Sequence, residues 1–292
     1  MTNTNYTLNC MERAVTFMSG AVGEARVPSL DEIATASGLS KFHFHRLFRL
    51  VTGETCSDAL TRIRLARAAN LLKDPAVTVT DAAFSAGYGS SQSFAKALKR
   101  VLDQSASSLR ASDDRLAAAV ETLAVPEQAS ATAMRIEIAA FDPFDVITIR
   151  TDGTYPALNV VYGALFEAAG DPGLVDAILG TPFGDIGSAE DLRFDCALKL
   201  AADADALPEG VSRTRIDGGA FLLARHVGSY DGLPDTLDQL YLAALAAEDI
   251  RIGAAPALFH YLDDPETTAE ADLRTDLYLP VRAVDGSTQS LA

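Results

Sequence analysis

A local pattern that ends one short apolar helix at a glycine and opens the next at a serine occurs twice in the first 110 residues. Ile33-Ala34-Thr35-Ala36-Ser37-Gly38-Leu39-Ser40 runs into a basic, aromatic segment, and Ala83-Phe84-Ser85-Ala86-Gly87-Tyr88-Gly89-Ser90 runs into another. Glycine accepts the left-handed backbone at a helix end, and a serine hydroxyl takes the first free N–H of the next helix. One such pattern is common in helical proteins. Two in the same orientation, about 50 residues apart, confine this half to an all-α fold of two helix-turn-helix units, the arrangement that reads DNA.

The charge distribution agrees. The net charge is −16, but residues 1–110 carry 13 Lys and Arg against 9 Asp and Glu, a balance of +4. Residues 111–292 carry 11 against 31, a balance of −20. A mildly basic reader joined to an acidic domain that phosphate repels accounts for this asymmetry, whereas a general need for solubility accounts only for the acidic half. The polar segment Met1 to Asn9 and the lack of any long apolar run predict a soluble cytoplasmic protein without a membrane partner. Three cysteines without a CxxC pair point away from disulfides and zinc.

From Arg13 to Leu109 the apolar residues recur at helical spacing. Ser29 with Glu32 has capping-box spacing, and Gly38 stops that helix. Ser40 opens the next, Lys41 to about Val51, with Phe44, Leu47 and Phe48 inward and Lys41, His43, His45, Arg46 and Arg49 outward or along the edges. A longer helix from about Ser57 to Leu72 holds the units apart, its Arg62, Arg64 and Arg67 read mostly as a solvated face. The second unit repeats the plan with Thr80 as cap, Gly87 as stop, and Phe94, Ala97, Leu98 and Val101 as its stripe. Gly38 and Gly87 align at an offset of 49, but Phe44 with Phe94, Arg46 with Lys96 and Phe48 with Leu98 at 50, so the second turn is one residue longer.

The first of the two second helices presents Lys41, His43, His45, Arg46 and Arg49 to DNA and the other Ser90, Ser91, Gln92, Ser93, Lys96, Lys99 and Arg100, and the base-facing candidates are Lys41, Phe42, His43 and His45, with Ser91, Gln92 and Ser93. Arg49, Lys99 and Arg100 are better placed for phosphates, the competing reading being a solvated face. Two readers on one chain can enter successive major grooves about 34 Å apart, so a monomer or a homodimer can bind double-stranded promoter DNA.

The domains expected are residues 1–110, a helix and linker over 111–133, and residues 134–283. Asp113 to about Leu123 reads as the helix and Ala124 to Ala133 as the linker. Beyond it Ile136, Ile138, Val146, Ile147 and Ile149 alternate as in strands. A second duplication follows. Arg150 to Leu158 and Arg225 to Leu233 share R-x-x-G-[ST]-Y-x-x-L at a constant offset of 75, continued by Leu165 to Leu240, Phe166 to Tyr241 and Ala169 to Ala244. The fold class is therefore multi-domain: an all-α N-terminal domain and an α+β C-terminal domain of two pseudo-twofold repeats with a cleft between them.

The second half holds no catalytic constellation, phosphate loop or metal spacing, and calls for no cofactor or metal. His226 and His260 read as strand histidines. Tyr155, Phe183, Tyr230, Phe259 and Tyr261, with Asp276 and Tyr278 on one face of the last strand, form an aromatic and acidic set suited to a bulky organic cation, or to plain core packing.

Residues 9–110, including Thr61 to Leu72, resemble the AraC-type DNA-binding domain, which implies seven helices at a promoter with RNA polymerase as a further partner. Asp103, Ala106 and Lys96 replace that family's usual Gly, Pro and Arg. Residues 134–283 resemble the gyrase-inhibitor-like effector-binding domain at Arg193-Phe194-Asp195, His226 to Tyr230, Tyr261 to Pro265 and Thr275 to Pro280. That resemblance implies a small-molecule effector, lipophilic or cationic, held by an acidic residue of the last strand, here Asp276; Phe259 stands where the family has another Glu. Together the resemblances imply a transcription regulator. The alternatives are a second domain that binds a protein partner, or a small-molecule hydrolase with a DNA-binding module.

Overall fold

Capping and apolar spacing place the helices of the first half, and a computed structural model shows how they pack. It describes residues 3–123, 136–151, 155–183, 193–201, 207–247 and 249–283. The chain divides into two compact units, one of residues 8–129 and one of residues 1–7 with 130–292.

The helical unit contains α1 (Asn3–Gly23), α2 (Leu30–Ser37), α3 (Lys41–Thr52), α4 (Cys56–Leu71), α5 (Val79–Ser85), α6 (Ser91–Leu102), α7 (Ala106–Arg110) and α8 (Asp113–Thr122). Ser29 and Glu32 close a capping box on α2, Gly38 ends it in the left-handed region, and Ser40 caps α3. Such caps contribute about 0.5–2 kcal/mol each. In the second unit the cap is Thr78 rather than Thr80. The Thr78 hydroxyl accepts the Asp81 N–H three residues on, which leaves Thr80 inside the first turn of α5. Ser90 caps α6, two residues beyond Tyr88, so the extra residue of the second turn lies between Gly87 and the cap. Asp103, where a glycine is usual, ends α6 with a left-handed φ of 52°.

Phe94 and Leu98 of α6 pack with Leu65 and Ala68 of α4 and its C-cap Leu72 in one core, while Val101 of the expected stripe is exposed at 41%. α8 adds Leu116 and Ala119 to the same core, joined by Leu123 just beyond its end.

Arg62, Arg64 and Arg67 are not a solvated face. Arg62 makes a forked ion pair with Glu54 and donates to the Leu123 carbonyl at the end of α8. Arg64 donates to the carbonyls of Ala86 and Gly87, and Arg67 to those of Ser85 and Gly23. The last carbonyls of a helix lack partners within it and sit at the negative end of its dipole, so guanidinium groups are drawn to them. Arg13 of α1 serves the Ser37 carbonyl at the end of α2 in the same way. The duplication thus extends to three helices per unit, each with a preceding long helix that clamps the turn.

Among the described residues the second unit forms a nine-stranded antiparallel sheet: β1 (Glu137–Phe141), β2 (Phe144–Thr151), β3 (Val175–Phe183), β4 (Arg193–Leu200), β5 (Ser212–Ile216), β6 (Gly219–Val227), β7 (Ile250–Ile252), β8 (Leu258–Tyr261) and β9 (Arg274–Ala283). Its order is β1-β6-β9-β8-β3-β4-β2-β5, with β7 also on β9. Helices α9 (Tyr155–Ala169) and α10 (Leu233–Ala246) follow β2 and β6. The 75-residue offset carries β1 onto β5 and β2 onto β6, and each first strand pairs with the other repeat's second strand. β8 and β3 meet at the join between the repeats.

Cys10, Cys56 and Cys196 form no disulfide among the described residues and are buried, and burial pushes the Cys56 and Cys196 thiols up to about 12. Thiolate is the reactive form. A thiol reagent at pH 8 is therefore expected to label none of them in the folded protein and all three in denaturant; labelling of Cys56 or Cys196 at the rate of free cysteine would contradict this packing.

Candidate functional site

Two surfaces are built from these elements, one in each unit. On α6 the buried Phe94 and Leu98 fix the helix phase, so Gln92, Ser93, Lys96, Lys99 and Arg100 are exposed, with Ser91 half-exposed. Ser90 is spent as the cap, its hydroxyl accepting the Ser93 N–H at 3.1 Å. Lys99 pairs with the exposed Asp103 carboxylate, and that pairing holds the Asp103 carboxyl below its usual range.

On α3 the buried arc is wider than its three-residue stripe. His43 and Arg46 are each 1% exposed, which corrects the expectation that they face outward. The reason is helical phase: they stand four residues before Leu47 and Leu50, both buried. Lys41 is exposed, and Phe42, His45 and Arg49 are half-exposed.

In the sheet unit a cavity of about 440 Å³ opens where α9 and the β3–β8 join meet. Tyr162 and Phe166, one turn apart on α9, form one wall, and Tyr230 and Tyr261 form the other. Tyr261 stands edge-on to both tyrosines, with ring centroids 6.0 Å from Tyr162 and 5.3 Å from Tyr230. The Tyr162 hydroxyl donates to the Leu179 carbonyl at 2.7 Å, which fixes its ring. Gly180 makes room for that docking: a Cβ there would lie 2.5 Å from the Phe194 ring and 3.2 Å from the Tyr162 oxygen.

The rim is the turn Asp263-Asp264-Pro265-Glu266. Asp263 is committed to Arg274, whose fork lies 2.8 and 3.0 Å away and holds its carboxyl below the usual range. Asp264 and Glu266 are exposed, and no ion pair engages them among the described residues. Burial, then the neighbouring Asp263 and Asp264, push the Tyr230 hydroxyl upward, so it stays protonated at neutral pH.

Of the expected effector set the cavity gathers Tyr230 and Tyr261, and not Phe183, Phe259, Asp276 or Tyr278. The Tyr155 side chain lies outside the described residues. Phe259 is fully buried against Phe194, and Phe183 lies under the Arg150 guanidinium at 4.9 Å. Tyr278 packs edge-on to Phe141 and Phe221. Asp276 is held by the Arg225 fork at 2.7 and 2.8 Å, so its charge is already compensated. This pair has a counterpart in the other repeat, Arg150 with Asp195, also at 2.7 and 2.8 Å. The i, i+4 spacing of Tyr162 and Phe166 and the acidic run at 263–266 were the signals in the sequence for the remaining lining. His226 is a clamp, its Nε2 on the Ser229 carbonyl and its Nδ1 on the Thr236 hydroxyl, each at 2.8 Å. Burial lowers the His260 pKa, which leaves its imidazole neutral at pH 7. Among the described residues no cluster of metal-ligating side chains occurs, and no helix is long and apolar enough to cross a membrane.

Two family models match: a helix-turn-helix domain over residues 33–112 and a GyrI-like small molecule binding domain over residues 134–282. The probable transcriptional regulator YgiV of Escherichia coli (strain K12) is 34% identical over 92 residues, 32% of this chain and 58% of its own length. Regulatory protein SoxS of the same strain is 35% identical over 82 residues, 28% of this chain and 77% of its own. The crystal structure of the EcmrR C-terminal domain superimposes with a TM-score of 0.46 at 13% identity, covering 52% of this chain and 100% of that one. The chain thus spans 58% of the length of the first of these curated relatives. With just over half of its residues matched by one model, the chain belongs to the GyrI-like small molecule binding domain family, and it carries an AraC-type helix-turn-helix domain ahead of that module.

Proposed function

We propose that the protein is a sequence-specific DNA-binding transcription regulator whose second unit senses a small, lipophilic, cationic effector. The observation that carries the effector reading is the tyrosine-walled cavity with uncompensated Asp264 and Glu266 at its rim. Aromatic faces attract a cation once it is desolvated, and the rim carboxylates add charge pairing. In this reading residues 1–110 contact promoter DNA, residues 134–283 hold the effector, and residues 111–133 join them with α8 packed on α4. RNA polymerase is the protein partner that a promoter-bound regulator of this design implies. The relatives being transcriptional regulators supports a binding role over an enzymatic one.

Titrating the full-length protein with tetraphenylphosphonium and with its neutral tetraphenyl analogue tests the effector reading. The cation is expected to bind more tightly, Tyr261→Ala to lose about tenfold or more through a missing wall, and an Asp264→Asn, Glu266→Gln double variant to lose most of the preference for charge. Asp276→Asn is expected to lower stability instead, because it strips Arg225 of its partner. Equal affinity for both probes would remove the cationic part of the proposal, and no binding of either would remove the sensor. Following the probe chemically in the same samples separates binding from hydrolysis.

A further inference from the structure

The two recognition helices can read one DNA face only if their spacing is held, and the hydrogen bonds that hold it converge on two side chains of α4. Within the helical unit Arg67 spans the junction of the two helix-turn-helix motifs: its Nε donates to the Ser85 carbonyl at 2.9 Å, at the end of α5, and its Nη2 to the Gly23 carbonyl at 2.7 Å, at the end of α1. Arg64 takes the next two carbonyls of the turn, Ala86 at 3.1 Å and Gly87 at 2.8 Å. The segment after α1 touches the same turn, since a Cβ on Gly87 would lie 3.0 Å from Val27 and 3.4 Å from the Ala25 carbonyl. Arg64 also lies 3.8 Å above the Tyr88 ring, and Tyr88 packs at 5.4 Å on Phe94, the core residue of α6.

From this convergence we infer that Arg64 and Arg67 are positioning residues that fix the second recognition helix relative to the first and so set the half-site spacing the protein accepts. The path is continuous: α1 end, Arg67, α5 end, Arg64, Tyr88, Phe94, α6. Neither arginine needs to touch DNA for this role. A forked guanidinium bridging two carbonyls resists rotation as well as separation, which a single ammonium on a flexible stem does not. The Tyr88 hydroxyl is buried without a hydrogen-bond partner among the described residues, so the ring face rather than the hydroxyl transmits the contact.

The inference rests on the DNA-reading proposal above, and one experiment separates the two. The full-length wild type selects its preferred duplex from random DNA. Affinity is then measured for that duplex, for duplexes with one, two or three base pairs inserted between the half-sites, and for each half-site alone. Wild type is expected to prefer its own spacing by about tenfold or more, because the second half-site binds at an effective concentration that depends on geometry. The Arg64→Lys, Arg67→Lys double variant keeps both charges and is expected to discriminate less than about twofold, while binding isolated half-sites within about twofold of wild type. Should the double variant not fold, Arg64→Lys alone carries the test, with about half the discrimination lost on a logarithmic scale. Undiminished spacing preference in a folded variant overturns the inference. So does an equal loss on half-sites and full sites, which is the mark of general destabilisation. A wild type that selects no duplex overturns the DNA reading instead.

Discussion

Replacing Gly218 by Ala is expected to destabilise the sheet unit by about 2–3 kcal/mol, which for a unit of this size is a fall of about 5–10 °C in its melting temperature. Gly218 lies in the short connection from β5 to β6, where the chain crosses the equivalent connection from β1 to β2. An added Cβ would stand 2.6 Å from the Phe141 carbonyl oxygen, 2.6 Å from the Pro143 nitrogen and 2.7 Å from the Pro143 Cδ. Two of these atoms are backbone and the third belongs to a proline ring, so none can swing aside as a flexible side chain would. Relief requires the two crossing connections to part, and each feeds a strand paired to the opposite repeat. Gly219 is the control: its φ of 141° is strained for other residues, but a Cβ there meets nothing within 4 Å. Gly219→Ala should therefore cost about 1 kcal/mol, by backbone strain alone. Urea unfolding followed by probes in each unit distinguishes the cases, because the helical unit should unfold at the same midpoint in all three proteins. A Gly218→Ala protein as stable as wild type would mean that the strand exchange is looser than this contact implies.

Strand exchange also marks how far the sequence reveals the architecture. The offset of 75, visible in the Arg-x-x-Gly-Ser-Tyr motif, continues back into β1 and β5, yet it says nothing about which strand pairs with which. Pairing across the repeats is a consequence of non-local geometry, and the short polar connections at 142–143 and 217–218 carry no signal for it. In the helical unit the duplicated turns were legible because caps and stripes are local, acting over three or four residues. Arg62, Arg64 and Arg67 were not, since their carbonyl partners lie between 18 and 61 residues away and an arginine-rich helix face has the same composition whether solvated or clamped. Asp276 shows the same limit at the effector site. Its strand position was legible, but its partner Arg225 sits on β6 and neutralises it, and the uncompensated carboxylates stand in the β8–β9 turn instead. Tyr230 came from the repeat spacing and Tyr261 from the aromatic composition, whereas the place of Tyr162 and Phe166 depends on how α9 packs on the sheet, with the Tyr162 hydroxyl reaching the Leu179 carbonyl of β3.

DNA affinity is expected to fall about 500-fold between 50 and 200 mM monovalent salt. Lys41, Lys96, Lys99 and Arg100 are exposed and Arg49 is half-exposed on the two recognition helices. If these five each neutralise a phosphate, counterion release gives a slope near −4.5 in log affinity against log salt. The acidic half, at a balance of −20, opposes binding, and salt also screens that repulsion. The repulsion is long-range and weak beyond the Debye length of about 10 Å, whereas counterion release acts at the contacts, so the steep fall prevails. Lys99 first has to exchange its Asp103 partner, but that pair is exposed and exchange costs little. Lys99→Ala is then expected to weaken all sequences alike and to lower the slope by about 0.9, whereas Gln92→Ala should leave the slope unchanged and relax base preference at one position by about 1–3 kcal/mol. A flat salt dependence would remove phosphate contact by these helices. A slope altered by Gln92→Ala, with base preference intact, would move Gln92 from the bases to the backbone of the DNA.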